Sequence, residues 1–138
     1  MRRQAMKPTQ SQLFRFALIG LSNTALSLAV IGCCLKLLGL ADVVANVAGY
    51  AAGFVWSFIW NRNWTFGHRG SITTSLVRVT LTYAVAWLAN YGVLTEFLAH
   101  FGTGAVWTQL PGMAVYTVVC FLGLKYFAFP ASGTAAAQ

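Results

Sequence analysis

Four cations stand where a phosphate could be gripped: Arg15, Arg62, Arg78 and Lys125, each at the edge of a long apolar run. A guanidinium is a planar fork whose N–H groups can pair with two phosphate oxygens at once, whereas an ammonium acts as a point charge. Two uses fit such residues. They can anchor helix ends by snorkelling to lipid headgroups, or they can form a cationic rim that captures a phosphate or pyrophosphate. A second polar set lies inside the apolar runs: Asn23, Thr24, Ser27, Asn46, Asn61, Asn90 and Gln109. Carboxamides and hydroxyls in hydrocarbon need partners. They serve interhelical hydrogen bonds, a polar groove that a lipid headgroup could traverse, or both. Helical spacing puts Gly20, Asn23, Thr24 and Ser27 on one face, and Tyr83, Trp87, Asn90 and Tyr91 on another.

Other chemistry finds no footing. No nucleophile, base and orienting group fall together, and no phosphate-binding loop is present, so an enzyme is not expected. The two acids, Asp42 and Glu96, lie near run edges. Glu96 reads as an interfacial acid rather than as the membrane-central carboxylate of a proton-coupled carrier. His68 and His100 are isolated loop histidines. Cys33, Cys34 and Cys120 sit within apolar runs without metal-ligand spacing and read as small buried residues. Neither a metal nor another cofactor is expected.

The elements that must position these residues follow from composition. The chain has 138 residues, 58% of them hydrophobic and 8% charged, against roughly 25% charged in ordinary globular chains. So few charges cannot clothe a soluble domain of this size, which leaves an integral membrane protein. The net charge of +7 does not imply nucleic acid, because the cations lie between apolar runs rather than in one patch. Charge-free runs cover Phe16 to Leu35, Val43 to Asn61, Val79 to Thr95 and Phe101 to Leu124, the last interrupted by Pro111. Each can span a core roughly 30 Å thick as a helix, and the alternation of a barrel is missing. The start imitates a secretory signal, but its apolar run is too long for one and continues past Cys33. Eight Lys/Arg fall at the N-terminus, the second loop and the C-terminal end, against Lys36 alone in the first and third loops. The positive-inside rule then puts both termini in the cytoplasm. Trp60, Trp64, Phe66 and Tyr126, with Phe127, form an aromatic belt at that face.

The chain is also internally duplicated. Shifted by 63 residues, Leu13–Phe66 lies over Leu76–Phe129 without a gap. Arg15 meets Arg78, Gly49 meets Gly112, Asn46 meets Gln109, Arg62 meets Lys125, and Trp64 meets Phe127. The expected fold is all-α and integral to the membrane: four transmembrane helices in two tandem parallel-repeat hairpins, 13–66 and 76–129. A cytoplasmic segment, 1–12, precedes the membrane domain at 13–129, and a disordered tail, 130–138, follows it. In the second span Ala45, Gly49, Gly53 and Ser57 recur every four residues, a small stripe suited to close packing within the chain or against another subunit.

The run Phe14-Arg15-Phe16-Ala17-Leu18-Ile19-Gly20-Leu21-Ser22-Asn23-Thr24 resembles the opening signature of the GtrA-like family. Ala45-Asn46, and Phe58 followed by Asn61-Arg62-Asn63-Trp64-Thr65-Phe66, resemble its later ones. Ile19 departs from the usual Val, and the second half matches mainly in hydropathy and in Lys125-Tyr126-Phe127. The resemblance covers about 13–129. It implies a small four-helix protein of the cell inner membrane, tied to cell-surface polysaccharide synthesis. The implied ligand is a polyprenyl phosphate or polyprenyl-phosphate sugar within the membrane lipid, and the implied activity is its translocation. The alternative it carries is a membrane anchor that recruits a membrane glycosyltransferase without transport. A small proton-coupled multidrug exporter has the same size, but no acid lies between Phe16 and Leu35. So small a bundle encloses little volume, which favours a homo-oligomer.

Fusion reporters test the topology. A reporter active only in the cytoplasm is expected to work at either terminus, and one active only outside at neither; an active outside reporter at either end rejects the orientation.

Overall fold

A computed structural model of the chain describes residues 8–101 and 110–131. Helix α1 spans Pro8–Lys36 and α2 spans Asp42–Trp60, which continues into a π-helical turn, Asn61–Thr65. Helix α3 spans Ile72–Phe101, and α4 spans Leu110–Gly123 with a π-helical turn at Leu124–Ala128. All regular structure among the described residues is helical. Three helices there are long and apolar enough to cross a membrane: α1, α3, and α4 with its turn. The remaining expected crossing, α2, has 19 residues, about 28 Å at 1.5 Å each.

The element ends differ from the charge-free runs. Residues 8–12 are helical, within α1; Arg2, Arg3 and Lys7 lie outside the described residues, as do 132–138 of the tail. Phe101, expected to open the fourth span, instead belongs to α3. Pro111 lies within α4, whose described part begins at Leu110. Lack of charge marks what lipid accepts, whereas helix membership is set by backbone geometry, which charge does not report.

The chain divides into two compact units, Met1–Gly67 and His68–Gln138. In the first, α1 packs on α2; in the second, α3 packs on α4. Gly39, at φ 61°, turns the chain between α1 and α2, a left-handed conformation that other residues adopt only at a cost. The stripe Ala45, Gly49, Gly53 and Ser57 is buried. A Cβ on Gly49 would lie 2.5 Å from Ile31 Cγ1 and 2.9 Å from the Ser27 carbonyl oxygen; one on Gly53 would collide with Asn23 Oδ1 and Ser27 Oγ. Both glycines therefore let α2 lie backbone-close to α1. In lipid, where burial gives little drive, this contact is what holds helices together. The second unit repeats the device: a Cβ on Gly112 would lie 3.1 Å from the Asn90 carbonyl oxygen and would collide with Asn90 Oδ1.

Substituting Gly49→Leu or Gly53→Leu is expected to destabilise the protein in detergent by about 1–3 kcal/mol or more. Leu21→Ala and Leu28→Ala, on side chains 72% and 64% exposed, should change it little. Thermal melting in detergent compares the four, and equal melting points reject the close packing.

Candidate functional site

The cations take defined positions. Arg15 reaches from α1 to the end of α2, where its Nη1 donates to the Trp64 carbonyl oxygen at 2.8 Å and its guanidinium sits 5.3 Å from the Trp64 ring centroid. Arg78 reaches from α3 to the end of α4 in the same way, donating to the Phe127 carbonyl oxygen at 3.4 Å and lying 5.5 Å from that ring. Both pairs are 49 residues apart, and the two sets are related by the 63-residue shift. The last carbonyls of a helix lack partners within it and carry partial negative charge. The two arginines supply both a donor and a counter-charge there. The turns they cap are themselves duplicated: Phe66 N–H donates to Asn61 O at 2.9 Å, and Phe129 N–H to Leu124 O at 2.8 Å. Each is a hydrogen bond five residues back, the π-helical spacing, and such turns recur at functional sites.

Capping uses one donor of five and one face of the guanidinium. Both arginines remain partly exposed, with further N–H groups for an oxyanion. Arg62 contributes a long Nη1 contact to Asn63 Oδ1, 3.4 Å. Lys125 Nζ lies 5.8 Å and 5.2 Å from the ring centroids of Phe121 and Tyr126. Thus each unit places one of these four cations on its first helix and one on the π-turn that this first-helix cation caps. The belt residues Trp60, Trp64 and Tyr126 are exposed, and Phe66 is half-buried.

The polar residues divide. Asn23, Thr24 and Ser27 line one cavity of about 280 Å³ between α1 and α2, with Leu28, Ile31, Tyr50 and Gly53. Asn23 Oδ1 is buried there without a hydrogen-bond partner. Thr24 Oγ1 donates to Gly20 O at 3.2 Å. Asn46 does not join them: it is exposed on α2. Asn61 is buried to 2% exposure at the start of the first π-turn, its Oδ1 also without a partner. Asn90 lies against Gly112 in the second unit. Gln109 falls outside the described residues. Helix rotation explains the division, because spacing along one helix says nothing of which face its neighbour covers.

One contact was not anticipated. Trp56 Nε1 donates to Ser22 Oγ at 2.9 Å, joining α2 to α1 across 34 residues. Neither residue stands in a pattern that would pair them. Cys34 and Cys120 are buried and Cys33 is exposed. Among the described residues no three His, Cys, Asp or Glu gather as metal ligands.

No curated protein matches the chain. The profile of the GtrA/DPMS transmembrane domain does, over residues 15–129. That match begins at the first capping arginine and ends where the second π-turn closes. With two capped helical hairpins in one repeat and spans fit for a membrane, the chain belongs to the GtrA/DPMS transmembrane domain family.

Proposed function

We propose that the protein moves a polyprenyl-phosphate-linked sugar across the membrane, or assists that movement, for cell-surface polysaccharide synthesis. The observation that carries this reading is the cavity of Asn23, Thr24 and Ser27 within spans that lipid otherwise surrounds. A buried carboxamide oxygen without a partner is costly in an apolar setting, and a sugar hydroxyl is the kind of donor that would satisfy it. Arg15, Arg62, Arg78 and Lys125 supply positive charge for the phosphate. The chain crosses four times, with both termini in the cytoplasm of a cell whose inner membrane holds it. It catalyses no covalent step, and passage is passive or drawn by consumption of the sugar outside. The anchoring alternative needs an outward face for a partner, and the small stripe of α2 would suit one. That stripe faces α1, which leaves a glycosyltransferase without that particular docking surface.

Reconstitution into liposomes with a fluorescent polyprenyl-phosphate sugar tests the proposal. Wild type is expected to move the lipid, and Asn23→Leu to slow it about ten-fold, the equivalent of one or two membrane hydrogen bonds. No movement by folded wild type rejects transport. For the phosphate, Arg62→Lys and Arg15→Lys are each expected to weaken polyprenyl-phosphate binding by about ten- to a hundred-fold, from a charge-assisted bond worth roughly 1.5–3 kcal/mol. Equal affinity in wild type and both variants leaves these arginines as anchors and caps alone.

A further inference from the structure

The two units are repeats, yet they are hollow in different places. In the second, Leu81, Thr82, Val85, Val119, Gly123 and Phe127 line an apolar groove of about 360 Å³ between α3 and α4. Phe127 forms one wall, and the Arg78 guanidinium stands over that ring. Shifting back by 63 residues gives the corresponding place in the first unit. There Val119 is replaced by Trp56, Gly123 by Trp60, Phe127 by Trp64 and Val85 by Ser22. Those three indoles form a continuous series, with centroids 5.4 Å and 6.4 Å apart, and the Ser22 hydroxyl accepts from Trp56. The matched positions thus carry three indoles in one repeat and line a groove in the other.

The reverse holds nearer the middle of the helices. The polar cavity of the first unit corresponds to positions where the second carries Trp87 for Thr24, Tyr91 for Leu28 and Tyr116 for Gly53. Trp87 and Tyr91 stack there at 5.6 Å with planes 14° apart. Large aromatic residues have been placed, or removed, at matched positions of the two halves.

We infer that the groove of Leu81, Val85, Val119 and Phe127 holds the phosphate-proximal prenyl units of a polyprenyl phosphate, with Arg78 at its mouth taking the phosphate. Charge and shape agree on such an occupant. The walls offer almost nothing but carbon, so an uncharged polar ligand gains nothing in the groove. The Arg78 guanidinium, 5.5 Å from the ring of the wall residue Phe127, is a cation, so a chain held in the groove is matched best by one that ends in an anion. The choice of a prenyl over a linear chain rests on the function proposed above.

The first repeat supplies its own test variant. The double substitution Val85→Ser and Val119→Trp transplants the hydrogen-bonded plug of Ser22 and Trp56 into the groove. Its binding of a polyprenyl phosphate is expected to fall about ten-fold or more, as when a packed pocket loses a few methylene contacts. Binding of hexadecyl phosphate should be weaker than that of the prenyl phosphate in wild type, and the uncharged polyprenol should be insensitive to Arg78→Gln. Independently of any substitution, a photoreactive prenyl phosphate is cross-linked to wild type, with adducts expected in 81–85 and 119–127. Unchanged affinity in a folded plugged variant, equal affinity for the linear phosphate, or adducts confined to 8–67 overturns the groove while leaving polyprenyl-phosphate binding intact. Failure of wild type to bind any polyprenyl phosphate overturns both.

Discussion

A helix that stops at the edge of a membrane exposes carbonyl oxygens with no partner in their own chain direction, at the depth where water becomes scarce. Both repeats meet this constraint with an arginine from the neighbouring helix. Arg15 donates to Trp64 O and Arg78 to Phe127 O, each lying over the ring of the residue it caps. The guanidinium satisfies a carbonyl, opposes the negative end of the helix dipole and rests on an aromatic face in one placement. The pairing joins first helix to second at one end of each hairpin. The glycines Gly49, Gly53 and Gly112 draw the same helices together along their length. The caps leave guanidinium N–H groups over on the residues that close the hairpins.

Close approach has a chemical consequence. With no side chain on Gly53, the carboxamide of Asn23 and the hydroxyl of Ser27 fit against the backbone of α2, and the space beside them is a polar cavity. In water such groups would be solvated. Surrounded by lipid, they depend on partners other than water. The second repeat uses its asparagine differently: Asn90 lies on Gly112, while Trp87 and Tyr91, both more than half exposed, stand at the positions of Thr24 and Leu28.

Matched positions of the two units carry residues of different size. One hairpin keeps a polar hollow and the other an apolar one, on the same backbone plan and between the same caps. Tryptophan and tyrosine suit the filling role, since each fills a large volume and carries one polar atom that needs a partner. Trp56 meets that need through Ser22.

Much of this was legible without coordinates. Composition excluded a soluble domain, unbroken apolar runs required helices, and the 63-residue shift aligned both arginines, both aromatic ends and Gly49 with Gly112. Those features depend on residue type and linear spacing, which the sequence states directly. It did not state that Asn46 faces outward, that Asn61 is buried under a π-turn, that Phe101 ends α3, or that Trp56 binds Ser22. In a soluble helix the boundary between polar and apolar faces reveals which side is covered. Here lipid and helix neighbour are both apolar, so a face packed on protein and a face turned to lipid read alike in sequence. Rotation and crossing of the helices, set by glycine contacts and arginine caps between residues far apart in the chain, decided which polar groups share a cavity.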